Sequence, residues 1–390
     1  MNSHASTKIL LFISFVFTGF FNGTAQNLNS DKQSHSNYAA ISTSFPFLRS
    51  IPDARSTSMG EAGVARAPDV NALIINPSAI VLLPHQAGFG VSHNPWLKSI
   101  MKDMSLSYFS AYLNSGKHAI GLSLRYFSVG ETTFRNEEAV MLGIVHPMEY
   151  ALDFTYAKRL GPDFALGGTI RYVQSRLAMN EQATAMRSAA SALAADVSAY
   201  LRKPGRLFGY EAVLAAGINI SNIGPASSGP AGEANYLPTN LRMGTSATLE
   251  VDGFSQLTIA ADLNKLLVPT SQNFATSGNE HTGFPASMWQ SFSDGPLGEE
   301  LSEISLSLGL EYTFKQQFSI RGGYLYAHPE KGNFSYPTLG AGVQHRSMRL
   351  DVAYLPVNVE KSPMANTLKI SLMFNFGELA QSRHGFIKPF

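Results

Sequence analysis

Along most of its length the chain alternates between apolar and polar positions, and the two sides of the alternation differ in kind. In "SEISLSLGLEYTF", Ile304, Leu306, Leu308, Leu310, Tyr312 and Phe314 share one face, while Ser305, Ser307, Gly309, Glu311 and Thr313 share the other. A period of two is the mark of a strand, because successive side chains point to opposite faces. The pattern recurs in "HAIGLSLRYF", where Ile120, Leu122, Leu124 and Tyr126 oppose Gly121, Ser123 and Arg125. It recurs again in "TLKISLMFNF", where Leu368, Ile370, Leu372, Phe374 and Phe376 oppose Lys369, Ser371 and Asn375. Such strands face two unlike solvents.

About 14 segments read this way, with ends placed to within about 2 to 4 residues. They lie near 86–93, 104–113, 118–127, 149–159, 164–175, 190–202, 209–220, 239–250, 255–264, 302–314, 317–327, 337–346, 348–355 and 367–376. The connections alternate in length. Tight turns are expected at Asn114–Lys117, Leu160–Asp163, Val251–Phe254, Lys315–Gln316 and 345–348, with Lys203–Phe208 a little longer. Between them fall long segments at 94–103, 128–148, 176–189, 221–238, 265–301, 328–336 and 356–366. Short turns on one rim and long loops on the other are the outer-membrane pattern, with the short rim periplasmic. The prediction is an all-β fold: a transmembrane outer-membrane β-barrel of about 14 antiparallel strands.

Charge placement agrees. Arg125, Asp153, Arg171, Asp196, Arg242, Asp262, Glu311, Arg321 and Asp351 each fall opposite the large apolar residues of their strand, and so point into the lumen. A lysine or arginine facing lipid at mid-depth costs about 2–4 kcal/mol, so register is strongly specified. The mixture of signs predicts cross-lumen ion pairs and hydrogen bonds, not a pathway of one sign.

Composition narrows the class further. Charged residues make up 15% of the chain, with 25 Phe and 15 Tyr, against roughly 25% charged in soluble domains. After the leader no run of about 18 apolar residues occurs, which argues against membrane helices. The leader itself, Lys8 followed by apolar Ile9–Phe21 and small Gly23-Thr24-Ala25, reads as a secretory signal peptide over residues 1–25. Acidic and basic residues nearly balance at a formal charge of +1, so no nucleic-acid partner is implied. With no cysteine in the sequence, a lipoprotein anchor, a disulfide framework and a thiolate metal site are excluded.

The stretch "PDARSTSMGEAGVARAPDVNALIINPSAI", Pro52–Ile80, fits neither a long helix nor a strand. It is turn-rich, with Pro52, Gly60, Gly63, Pro68 and Pro77, and it precedes the first strand. A barrel of about 14 strands is wider than the roughly 8 whose side chains alone fill the bore. The stretch is therefore expected to enter from the periplasmic side and plug the lumen, with Asp53, Arg55, Glu61, Arg66 and Asp69 answering the wall charges. The organisation expected is residues 26–44 as a flexible N-terminal segment, 45–85 as plug, 86–376 as barrel and 377–390 as tail.

Catalytic chemistry finds little support. "SIMK", Ser99–Lys102, has the Ser-x-x-Lys spacing without its companion motifs. His146 and Glu149 stand three apart, but Pro147 opposes the helix that would join them. "GNEH" is a lone loop histidine, and neither a Walker loop nor a dinucleotide fingerprint occurs. No catalytic residue, metal or cofactor is predicted.

"FPFLRSIPDARSTSMGEAGVARAPDVNALIINPS", "GVSHNPWLKSIMKDMSLSYFSAYL" and "AIGLSLRYFSVGE" together resemble the start of the PorV family, also called LptO. The likeness is densest over residues 45–175. These are outer-membrane barrels of the type IX secretion system and distant relatives of FadL fatty-acid transporters, which have about 14 strands and an N-terminal hatch. "NALIINPS", Asn71–Ser78, resembles the Asn-Pro element of that hatch; Asp53, Arg55, Met59, Gly60, Asn71, Asn76 and Pro77 are the expected plug residues. Arg66 and Ile74-Ile75 depart from the family pattern, which leaves PorV, the PorQ branch and another PorV paralogue all open.

The resemblance implies a non-enzymatic role with three protein partners: the C-terminal signal domains of secreted cargo, the large type IX translocon barrel, and an attachment complex containing the sortase PorU. That complex fixes cargo to surface lipopolysaccharide. Candidate cargo contacts are Asn94, Pro95, Trp96 and Leu97 in the first outer loop, and Phe127, Gly130 and Glu131 entering the second. Phe284, Met288, Trp289 and Phe292 form an aromatic cluster in the longest loop. Trp96 suits a membrane-interface role equally well, and the loop cluster suits packing over the barrel mouth. The alternative function is FadL-like transport of hydrophobic small molecules, which needs an apolar path through the hatch and a lateral opening. A lipopolysaccharide hydrolase would need a catalytic constellation absent from the sequence.

Overall fold

The structure is a computed structural model that describes residues 43–95, 103–135, 141–176, 190–228, 234–269, 285–328, 335–356 and 367–379. The expected signal peptide, Trp96, Leu97, Ser99–Lys102, "GNEH", Phe284 and most of the tail lie outside those residues.

The strands are β1 (His85–Pro95), β2 (Ser105–Asn114), β3 (His118–Ser128), β4 (Thr132–Arg135), β5 (Met141–Val145), β6 (Met148–Arg159), β7 (Phe164–Arg176), β8 (Ala190–Leu207) and β9 (Tyr210–Ile223). They continue with β10 (Ser227–Ser228), β11 (Ala234–Asn235), β12 (Asn240–Asp252), β13 (Ser255–Leu266), β14 (Ser305–Phe314), β15 (Phe318–Tyr326), β16 (Tyr336–His345), β17 (Met348–Tyr354) and β18 (Leu368–Glu378). Fourteen of them close into one barrel, each paired with its neighbour around the ring, and β18 returns antiparallel to β1. β4 with β5 and β10 with β11 form two small sheets in the long connections. No described helix is long and apolar enough to cross a membrane. The crossing elements are strands.

The two-solvent pattern sets which face is which. On β3, Ile120, Leu122 and Leu124 are 43%, 53% and 38% exposed, while Ser123 and Arg125 on the alternate positions are buried. Pairing keeps like with like: Leu122 lies across from Phe154, and Ser123 from Asp153. A slip of one residue would turn Arg125 and Asp153 into hydrocarbon.

At two strand ends the pattern misleads. β8 does not turn at Lys203 but runs through Pro204 and Gly205 to Leu207, paired with β9. β7 stops pairing with it at Leu201, so beyond that point β8 is a sheet edge, where proline's missing N–H is tolerated. The turn itself is Phe208-Gly209, both with positive φ (53° and 84°), as a two-residue hairpin of the primed type requires. β14 begins at Ser305 because Leu297–Ser302 is a short helix with Glu299 and Glu300 in its first turn, where acidic groups favour the helix dipole.

The stretch before β1 lies inside the barrel. It is held by lumen-facing groups around much of the ring: Ala54 N donates to Ser371 Oγ, Gly60 N to Thr338 Oγ1, Gly63 N to Asp262 Oδ2 and Ser78 N to Ser198 Oγ, all at 2.8–2.9 Å. Its direction reverses the expectation. Ser44 N donates to Tyr236 O in the long connection before β12, and Phe47 stacks on Phe127 near the long-loop end of β3, with ring centroids 6.2 Å apart. At its other end, Asn114 Nδ2 on the short-turn rim donates to Leu83 O at 3.0 Å. The hatch thus starts in the outer mouth and descends to the periplasmic rim. Sequence order alone had suggested a periplasmic start, but the apolar cluster of Phe45, Phe47 and Leu48 finds its apolar partners Leu106, Val173 and Leu237 at the outer end.

Candidate functional site: the filled bore and the outer mouth

The hatch is built from short turns, each closed by a side chain. Asp53 caps the helix Ala54–Thr57, accepting from Arg55 N and Ser56 N, as an N-cap carboxylate does. Asn76 separates the helix Ala72–Ile75 from the 3-10 turn Pro77–Leu82. Its Nδ2 donates to Val64 O at 2.7 Å and to Ala199 O on β8 at 3.1 Å. Pro77 opens the 3-10 turn, where its fixed φ fits and its missing N–H costs nothing. Asn71 donates toward Asp53 and Met373, and Met59 is fully buried beside Ala260.

Five wall glycines bring the hatch close. A side chain at Gly323 would collide with the backbone of Met59 and Gly60, at Gly309 with Met59, at Gly340 with Ser58, at Gly217 with Val64, and at Gly167 with Ser78. The hatch backbone therefore lies against the wall itself. Gly60, with φ +65°, adopts a conformation there that L side chains rarely take.

Charge fastens the contact. Arg55 Nη2 and Nε reach Glu311 at 2.6 and 2.9 Å, and its Nη1 reaches Asp69 at 3.0 Å, which also pairs with Arg66 at 2.8 Å. Glu311 in turn accepts from Arg321, which pairs with Asp351 at 2.8 Å, and Asp351 with Arg349 at 2.8 Å. Gly342 on β16 leaves room for this group, being within reach of both Arg321 and Asp351. A second lattice runs along β3, β6, β7 and β8: Arg171 binds Asp153 at 2.7 Å and Asp196 at 2.9 Å, with Arg125 at 3.5 Å from Asp153. The expected ion pairs are present, but they run along the wall and from wall to hatch instead of across an empty bore. Arg349, absent from the sequence reading, falls in an inward position near a strand start.

The outer-mouth candidates divide. Asn94 is in β1, not in a loop; it is buried and donates to Pro52 O at 2.8 Å. β1 keeps pairing with β2 through Pro95, opposite Ser105, so the loop starts later than the sequence suggested. Phe127 is likewise committed to Phe47 of the hatch. Gly130 is buried with φ +86°, and Glu131 is exposed. His146 is exposed while Glu149 is buried, so the structure does not bring that pair together.

The long connection before β14 carries a raised platform. Its two short helices, Ala286–Gln290 and Leu297–Ser302, present Trp289 at 76%, Leu297 at 77%, Leu301 at 60% and Phe292 at 44% exposure. Met288, in the first of these helices, is half-buried. Lys265 at the outer end of β13 ties the platform down, with Nζ 2.9 Å from Glu300 and 2.7 Å from Glu303. The same ammonium lies 5.7 Å from the Phe292 ring centroid. Leu297 and Leu301 were missed from sequence, although their spacing of four is the helical signal. Among the described residues no group of three or more His, Cys, Asp or Glu is arranged to hold a metal ion.

The profile of the family described as "Type IX secretion system protein PorV" matches residues 32–273 of this sequence. The chain belongs to the PorV family. No curated relative matches it by sequence. Among solved structures, this PorV barrel is similar to the TodX deltaS2S3 mutant monoaromatic hydrocarbon channel, with 12% identity and a TM-score of 0.53 over 83% of this chain and 98% of that one. It also matches the Pseudomonas putida toluene transporter TodX (12% identity, TM-score 0.48, 82% and 95% covered) and a Pseudomonas aeruginosa FadL homologue (11%, 0.41, 87% and 100%). The PorV barrel shares the fold of the TodX channel, and its setting is the outer membrane.

Proposed function

We propose that this protein is a non-enzymatic adaptor of the type IX secretion system. It binds the C-terminal signal domain of secreted cargo at its outer mouth and passes the cargo from the translocon to a PorU-type attachment complex. The observation that carries the reading is the pairing of a stoppered bore with an uncovered apolar platform above it. Trp289, Leu297 and Leu301 form the kind of aromatic and aliphatic surface that protein interfaces use. Exposed apolar groups of this density mark contact sites more often than they mark bare surface.

The test is capture of a purified cargo signal domain by the purified barrel. Substituting alanine at Trp289, Leu297 and Leu301 together is expected to weaken capture at least about tenfold, equivalent to about 1.4 kcal/mol. Unchanged capture by a correctly assembled variant overturns the platform as the cargo site. The competing reading is a FadL-like carrier of hydrophobic small molecules, for which fold likeness is the support; fold does not fix function. Uptake of long-chain fatty acids lost on deletion, with surface cargo unaffected, would favour it.

A further inference from the structure

We propose that the lipid-facing wall over β1, β2, β3 and β6 carries a phospholipid site: a groove for an acyl chain, with a cationic row beneath it for the headgroup phosphate. The groove arises from register. Phe89, Ala111, Leu122 and Phe154 lie opposite one another in turn across the four strands, so the wall dips at Ala111 between large neighbours. Along the strands the dip is bounded by Phe109 and Leu113, and Ala87 extends it toward Phe376. The resulting groove is open along the wall, with a volume of about 570 Å³ and a lining that is nearly all apolar. Leu113, Ile120 and Leu122 beside it are 59%, 43% and 53% exposed.

Charge chooses the occupant. On the same outward face, one step beyond Ile120 and Tyr156, His118 lies opposite Lys158, and Lys117 occupies the adjoining turn; all three are exposed. Two residues of strand put this row about 7 Å below Ile120, toward the short-turn rim. Tyr156 is fixed between row and groove, its hydroxyl 2.7 Å from His118 Nδ1, as an interfacial aromatic stands between hydrocarbon and water. Arg159 does not join the row, since its Nε donates back to Gly161 O at 3.0 Å. An apolar slot at membrane depth with ammonium groups at its periplasmic end matches an amphiphile with a fatty chain and an anionic phosphate. A glycerophospholipid of the periplasmic leaflet has that form.

The experiment is native mass spectrometry of the full barrel released from detergent, titrated with phosphatidylglycerol. The unaltered protein is expected to retain one lipid through delipidation. Ala111→Phe, which fills the slot from the outer face, is expected to lose it; Ala87→Leu serves as a second filling variant should the first fail to assemble. Lys117→Glu with Lys158→Glu is expected to weaken retention at least tenfold while leaving the slot intact. Diacylglycerol, which lacks the phosphate, and inorganic phosphate, which lacks the chains, are expected not to be retained. Equal retention by the filled variants, or equal retention of diacylglycerol, overturns the proposal.

Discussion

A guanidinium sealed in a bore needs acceptors on every side, and Arg55 has them in Glu311, Asp69 and the carbonyl of Ala67. Removing one member of a buried, hydrogen-bonded ion pair costs about 3–5 kcal/mol, because the other is left uncompensated. Arg321 and Arg349 still face Glu311, so Arg55→Ala belongs at the lower end, about 3 kcal/mol. A shift of the urea unfolding midpoint of the detergent-solubilised barrel measures it. Gly323 gives a second expectation. A leucine there has the Met59–Gly60 backbone where its side chain must go, so Gly323→Leu displaces the hatch, and planar bilayers read the result as ion conductance well above that of the unaltered protein. The two residues differ in how much the sequence revealed. Arg55 stood out as a charge in a turn-rich stretch, whereas its partner Glu311 is 256 positions away and nothing local joins them. The wall glycines were hidden because a glycine in a strand pattern also reads as a bulge or weak point.

At the scale of elements, the strands were legible because each meets lipid on one side and a packed polar interior on the other, and that contrast is written into every second residue. The platform before β14 was not, since its helices span only a turn or so each and their apolar residues face water. Its clamp is testable by pH. Burial pushes Glu300 up, but the hydrogen bond and charge of Lys265 outweigh this and hold it below the ordinary 4.5. A carboxyl with a depressed folded value contributes its stability above the unfolded value and loses it as pH falls through the folded one. The platform should therefore loosen as pH falls below the ordinary carboxylate range, seen as faster amide hydrogen exchange over Leu297–Ser302 after correction for the intrinsic rate, with Glu300→Gln already fast at neutral pH. Corrected exchange with no dependence on pH would count against the clamp.

On the scale of the whole molecule, stopper and wall are one packed body. Because the sequence contains no cysteine, a pair introduced as Ser78→Cys and Ser198→Cys, where Ser78 N meets Ser198 Oγ at 2.9 Å, would be its only thiols. Oxidising that pair pins the hatch to β8. If the outer platform binds cargo as proposed, capture is expected to be unchanged; capture lost on oxidation and regained on reduction would mean that the hatch must move. The direction in which the hatch runs has its own consequence. One end is knotted by Phe45, Phe47 and Leu48 under the outer loops, and the other continues covalently into β1, whose partner β18 closes the ring. A segment laid along the bore between these two anchorages is held at both ends, so displacing it means breaking the outer apolar cluster, the wall contacts between, or the β1–β18 seam. A pull on the hatch from the periplasmic end therefore meets the apolar cluster at the far end of the bore as its last anchorage.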